Sequence, residues 1–301
     1  MALFHKAEKK KAKLRLGITG TAGSGKTYGA LLIALGIGGK IALIDTENGS
    51  GDLYSSLGDY DVGNIQAPYT VQKYLEAMHE AEQSGYDTII IDSLSHAWSG
   101  EGGLLDMQGK IAASGKGNSY TAWREVTPWH NKLIDSMLSS PCHIIATMRS
   151  KTDYIQTEND YGRKEIRKVG LAPVQRDGMD YEFGVVFDIS IAHVASVSKD
   201  RTGLFDSQFF TITKNTGKIL RDWLNSGYDP KRVKDIYNRY LVVCDGQKNH
   251  AINAMKKIIG DTPSNLLTEE QLQLLENDLT LRENNLNDNE DKSHDEISTE
   301  N

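Results

Sequence analysis

The chain is poor in cysteine and in long apolar runs. It has two cysteines, Cys142 and Cys244, and they share no ligand spacing. That argues against a disulfide framework and against a zinc site, and makes a reducing cytoplasm the expected compartment. No stretch approaches the roughly 20 consecutive apolar residues of a membrane-spanning helix, so no membrane association is expected. The lysine-rich stretch from Met1 to Arg15 is followed by no apolar segment and does not read as a secretory signal. No internal repeat is present. Hydrophobic residues make up 39% of the 301. That is too many for a wholly disordered chain, and the length suffices for a core without staples.

Charge is present but unevenly placed. The formal net charge is −7. Between Met1 and Arg15 six basic residues face one acid, and between Glu283 and Asn301 seven acids face one lysine. This asymmetry points to partners rather than to fold. The expected organisation is a basic flexible N-terminus over 1–12, a core over 13–215, a helical region over 216–282 and an acidic disordered tail over 283–301. The tail is expected to be disordered because Leu286 and Ile297 are its only aliphatic side chains.

The core alternates strand-like and helix-like segments. Lys13–Thr19, Lys40–Asp45, Asp87–Asp92 and His143–Met148 read as strands. The last two are apolar on both faces, as in a sheet covered on both sides. Thr27–Leu35 and Thr70–Gln83 read as helices, as does Pro128–Leu138 with Thr127 as its cap. This rhythm predicts an α/β fold with a mostly parallel sheet flanked by helices. Lys151–Lys168 is either a long hairpin or a loop. Strands are expected to resume over Gly184–Val197, with one more over Ser207–Thr213. From Gly217 the chain reads as helical, with Asp229 capping a helix that has Pro230 at its first position. Thr268 and Gln271 form a capping box before another helix.

One motif carries specific chemistry. Gly20-Thr21-Ala22-Gly23-Ser24-Gly25-Lys26-Thr27 matches G-x-x-x-x-G-K-[ST], between a strand and a helix. Its glycines allow backbone N–H groups to wrap phosphates, and the helix points its positive end at them. Lys26 would reach the β- and γ-phosphates, and the Thr27 hydroxyl would ligate Mg²⁺. ATP and Mg²⁺ are therefore the expected ligands. Asp92, ending the IIID strand, suits either an Mg²⁺ carboxylate or a helix cap. Glu47 reads as the acid that polarises the attacking water, or as a solvated loop acid. Asp45 lies at a strand end and could support the Mg²⁺ shell. Arg149 suits a γ-phosphate sensor as well as a surface arginine. Lys199 and Arg201 suit either a finger reaching a neighbouring subunit's nucleotide or an ordinary charged turn. Lys151, Tyr154, Arg163, Lys164, Arg167 and Lys168 interleave cations with aromatics, a pattern that fits single-stranded DNA, although interspersed acids also fit a solvated hairpin.

With these residues in view, the chain resembles RecA-like P-loop NTPases, and more narrowly the small AAA family ATPases of bacteriophages, some of which accompany single-strand annealing proteins and are called Sak-type. The resemblance rests on GTAGSGKT at Gly20, DTEN at Asp45, IIIDSLS at Ile89 and KDRTG at Lys199, in that order. It implies an ATP hydrolase in DNA recombination or replication, working as a homo-oligomeric ring or filament on single-stranded DNA. The compartment would be the host cytoplasm if the chain is phage-encoded. Implied residue roles are phosphate and Mg²⁺ binding by Lys26 and Thr27, the catalytic acid for Glu47, the Walker B acid for Asp92, and trans-acting cations for Lys199 and Arg201. Implied partners are an annealing protein, a helicase or a single-strand-binding protein. The alternative is an ATP-dependent adaptor that loads such a partner. The chain departs from the pattern where recombinases place a polar sensor, often Gln, since Thr147, Met148 and Arg149 stand there. No helicase-interaction or primase domain is expected ahead of the P-loop.

Overall fold

The computed structural model describes residues 7, 9–114, 118–158, 164–227, 229–264 and 267–297, with backbone alone at 152–158, 164–171 and 287–297. It divides into a core unit, Lys13–Trp223, and a second unit in which Lys9–Ala12 joins the residues from Leu224 onward.

The core unit is built on one sheet. Its strands are β1 (Arg15–Gly20), β2 (Ile41–Asp45), β3 (Asp61–Asn64), β4 (Thr88–Asp92), β5 (His143–Glu158), β6 (Lys164–Pro173), β7 (Val185–Ile189) and β8 (Ala195–Asp200). They run in the order β3-β2-β4-β5-β1-β7-β8, with β6 paired to β5. The six from β3 to β7 are parallel. The two late pairings, β5 with β6 and β7 with β8, are antiparallel. The expected mixed α/β fold with a mostly parallel sheet is thus present.

Both faces of the central strands are buried, which accounts for their unbroken apolar runs. Ile44, Ile89, Ile91, Ile144 and Ala146 pack with Tyr74 and Met78 of α2 (Val71–Gln83) and Val126, Leu133 and Met137 of α5 (Ser119–Ser139). Each fully buried aliphatic of this kind contributes about 1.5–3 kcal/mol relative to exposure. α1 (Lys26–Ile37) lies against β1, β4 and β5. α6 (Lys214–Asn225) follows the last strand, and its backbone nearly touches that of α1. A Cβ on Gly36 would stand 2.0 Å from the Lys214 carbonyl oxygen, and one on Gly217 would stand 2.1 Å from that of Ile33. This crossing carries the core past the expected boundary at 215.

Several expectations change. α5 starts at Ser119, where Asn118 and Thr121 form a reciprocal capping box, so Thr127–Pro128 is not its beginning. Pro128 sits inside the helix and removes the ladder donor to the Arg124 carbonyl, a cost of about 3 kcal/mol that the buried stripe Ala122, Val126, His130 and Leu133 offsets. Ser207–Thr213 forms one isolated bridge, Ala195 to Phe210, and no strand. Phe205 and Phe210 stack on each other and meet Phe187 edge-on, so ring packing rather than a ladder holds this segment. Of Lys151–Lys168, residues 151–158 and 164–168 lie on the antiparallel β5 and β6 arms of a hairpin, with Lys151 opposite Ala172 and Glu158 opposite Lys164.

The second unit packs α7 (Pro230–Val243), α8 (Lys248–Ile259) and α9 (Glu269–Ile297) around Val233, Ile236, Tyr240, Leu272, Leu275 and Leu279. Asp229 caps α7 by accepting from the Lys231 and Arg232 N–H groups, and Thr268 and Gln271 close their box before α9. Lys11 lies 3.7 Å from Asp229, and Ala12 N–H donates to Leu224 O, so this stretch of the basic head is structured. α9 runs through Glu283 to Ile297, into the stretch expected to be a disordered tail. Arg239 holds Glu283 in a two-bonded pair, and a helix nucleated by packed turns extends at little cost.

Candidate nucleotide site

The turn between β1 and α1 is a cradle of backbone. Gly23 and Gly25 have φ of 76° and 91°, in the left-handed region that favours glycine. A Cβ on Gly20 would meet Ser24 Oγ at 2.4 Å and Ile189 O at 2.7 Å, so that position also excludes side chains. Ser24 Oγ is buried with no hydrogen-bond partner among the described residues. A phosphate oxygen would satisfy it. α1 has no acid in its first turn and no side-chain cap, which leaves its first N–H groups for an anion. Lys26 lies across the loop, its Nζ donating to Thr21 O at 2.9 Å. Burial pushes its ammonium pKa down, while Asp92 and Glu47 oppose that shift.

Asp92 is 1% exposed at the end of β4. The Thr27 hydroxyl donates to its Oδ2 at 2.5 Å, and the Thr147 hydroxyl donates to Oδ1. Burial raises its carboxyl above the ordinary range, and these two bonds only partly oppose it. Thr27 and Asp92 supply two hard oxygen donors, the number from protein that Mg²⁺ commonly takes when phosphates and water complete its shell. The residues present therefore fit that ion.

Glu47 follows β2, two residues after Asp45. Asp45 accepts from Glu47 N–H at 2.5 Å and from Gly51 N–H at 2.9 Å. It is therefore a buried organiser of the turn that presents Glu47, committed to backbone rather than to a metal shell. Arg149 grips the Glu47 carboxylate with Nε at 3.0 Å and with Nη2. Burial pushes the Glu47 carboxyl up, but the Arg149 bonds and charge outweigh it and hold the carboxyl below its ordinary value. Arg149 is thus neither a free sensor nor an idle surface residue. Thr46 ties the same corner together, bonding His96 Nδ1 at 2.7 Å and accepting from Ser93 N–H at 2.9 Å.

Other predicted residues lie elsewhere. Because β8 is antiparallel to β7, its end carries Lys199 and Arg201 towards the amino-terminal ends of the parallel strands, about 10–16 Å of strand below the level of Gly20. Lys199 donates to the carbonyls of Asp180 and Tyr181, and Arg201 N–H donates to Gly184 O. Lys151 is exposed at the base of the hairpin. Tyr154, Lys164, Arg167 and Lys168 lie on its strands by backbone position, and Arg163 falls outside the described residues.

A cavity of about 480 Å³ beside the loop escaped the sequence reading. It is lined by Tyr28, Tyr54, Ile189, His193, Thr211 and Ile212. Tyr28 and Tyr54 meet edge-on with centroids 5.8 Å apart, and His193 Nδ1 lies 2.9 Å from Ser24 O. Tyr28 directly follows Thr27, which was the one available signal.

A parallel sheet with a glycine cradle, a lysine and a Thr–Asp pair at the carboxyl ends of its strands defines a P-loop nucleotide-binding fold. A family profile described as an AAA domain matches residues 12–218. The chain therefore belongs to the AAA domain family of P-loop NTPases. No curated protein matches it. Among the described residues no helix is long and apolar enough to cross a membrane.

Proposed function

We propose that this chain is a Mg²⁺-dependent ATPase that works on single-stranded DNA in recombination or replication, as a homo-oligomer. The observation that carries the reading is the convergence on one cradle of Lys26, the Thr27–Asp92 pair and the arginine-held Glu47. Lys26 leaves Thr21 O for the phosphates. Thr27 and Asp92 would hold Mg²⁺, which would supply neutralisation of the phosphate charge. Glu47 orients the attacking water and accepts its proton as the γ-phosphoryl–oxygen bond breaks and ADP leaves. The cavity at Tyr28 and His193 offers aromatic and aliphatic walls to the nucleobase. Lys199 and Arg201, remote from their own cradle, would serve a neighbouring subunit's nucleotide, Lys199 by exchanging its bonds to the Asp180 and Tyr181 carbonyls, and Lys151 and the hairpin would serve DNA.

The Glu47–Arg149 pair favours a second reading, an ATP-dependent adaptor whose turnover waits for a helicase or an annealing protein. One experiment separates the two: ATP turnover and mass of the full chain with single-stranded DNA, duplex DNA or neither. Stimulation by single strands with assembly supports the first reading. Turnover indifferent to DNA supports the second. Undiminished turnover in Lys26→Ala overturns both.

A further inference from the structure

The core unit has a cavity of about 920 Å³ away from the nucleotide cradle, and its lining is distinctive. Trp98 comes from α3 (Ser95–Ser99), Tyr120, Trp123 and Arg124 from α5, and Arg176 and Asp177 from the segment after β6. The Trp98 and Trp123 rings are stacked, with centroids 5.7 Å apart and planes 20° from parallel. The Arg176 guanidinium lies over the Trp123 ring at 5.5 Å, and its Nη1 donates to Thr127 Oγ1 at 3.3 Å. Tyr120 is 85% exposed, an unusual position for a large aromatic in a folded core unit. Arg124 is exposed one position beyond Trp123, and Asp177 is the lone carboxylate in the lining.

Aromatic faces and guanidinium planes held side by side are the chemistry that recognises unpaired bases. Every base offers a π-face, so stacking tolerates sequence, while the cations meet the backbone. A duplex hides those faces. A purely apolar partner would bury two guanidinium groups, Arg124 and Arg176, with only one lining carboxylate, Asp177, to meet them. We propose that this groove seats the unpaired bases of a single-stranded nucleic acid, with Tyr120 stacking, the Trp98–Trp123 pair flooring the groove, and Arg124 and Arg176 meeting phosphate. The proposal deepens the reading of the chain as a DNA-dependent ATPase and rests on it, but places the contacts on residues outside the hairpin.

The groove is also wired to the cradle. α3 carries Trp98 near one end and Ser95 at the other, and Ser95 Oγ accepts from Arg149 N–H at 3.0 Å. Arg149 in turn holds Glu47. Gln175, next to Arg176, donates to Leu94 O at 3.2 Å, and Leu94 N–H donates to Thr147 O at 2.9 Å. Thr147 holds Asp92. Strand binding in the groove therefore acts on elements that touch both acids of the nucleotide site.

The test is fluorescence anisotropy of the full chain with a labelled mixed-sequence DNA single strand of about 20 nucleotides, with melting temperature and mass measured alongside. The variants are Tyr120→Ala with Arg124→Ala, both at exposed positions, and separately Arg176→Ala. The expected result is at least a roughly tenfold loss of affinity in each, with an unchanged melting temperature in the Tyr120/Arg124 pair, and tryptophan quenching on binding in the wild type. If the wild type binds and both variants bind equally well, the groove is overturned while DNA binding elsewhere, at the hairpin, stands. If the wild type binds no single strand, the groove and the DNA reading fall together. If the variants change the mass of the particle but not its DNA affinity, the groove is a protein interface and the proposal is wrong. If Arg176→Ala unfolds, the Tyr120/Arg124 pair still decides.

Discussion

In the core unit Arg149 grips Glu47 through Nε and Nη2, and in the helical unit Arg232 grips Glu276 through the same two nitrogens, at 2.9 and 2.8 Å. The forks are alike, but their surroundings are not. Arg232 also reaches Glu269, and Arg239 and Glu283 form a further fork between the same helices, over a core of Leu272, Leu275 and Tyr240. Those charges satisfy one another. Glu47 and Arg149, by contrast, act electrostatically on Lys26, and Glu47 on Asp92 as well. A guanidinium–carboxylate pair is therefore a brace or a piece of chemistry according to what lies within reach of its charges.

That contrast can be broken from either side. The largest effect is expected at the cradle: Lys26→Ala should lower ATP turnover by at least about 10²-fold, because charge stabilisation of the phosphates is lost. A melting curve should show both units still folded. Next comes a stability effect inside the core. His143 Nδ1 accepts from Leu14 N–H at 3.0 Å, and burial lowers the imidazole to about 4 from 6.5. Between those two values the unfolded chain binds the proton more readily, so stability is full above pH 6.5 and falls as pH drops towards 4. The contribution is up to about 3 kcal/mol. Denaturant midpoints at pH 7 and pH 5 should differ less in His143→Gln than in the wild type. Arg232→Ala should cost about 1 kcal/mol in the helical unit, since its pairs are partly solvated, and leave KM and kcat for ATP unchanged. The smallest effect concerns profile shape. Arg149→Ala removes the partner that holds the Glu47 carboxyl low and leaves the upward push of burial. The acidic limb of the pH–rate profile should then move to higher pH.

Much of the fold was legible because it is local. The P-loop lies within eight consecutive residues, and β2, β4 and β5 announce themselves as apolar runs between buried faces. β3 did not, having no buried side chain in Asp61–Asn64. The Thr127–Pro128 pair imitated a helix start that tertiary burial overrode. Lys199 and Arg201 could be placed at a strand end, but whether that end lies with the carboxyl or the amino ends of the parallel strands depends on whether β8 runs parallel or antiparallel, and residue order does not carry that. The Glu47–Arg149 pair spans 102 residues and the groove draws on three segments, so neither leaves a pattern along the chain.

The central claim is that Glu47, not merely the P-loop, performs the chemistry. Its most direct test is single-turnover ATP hydrolysis by Glu47→Gln, with nucleotide affinity measured on the same protein. The account predicts ATP binding close to wild type and cleavage slowed by about 10²-fold or more. Cleavage at the wild-type rate in Glu47→Gln would contradict it.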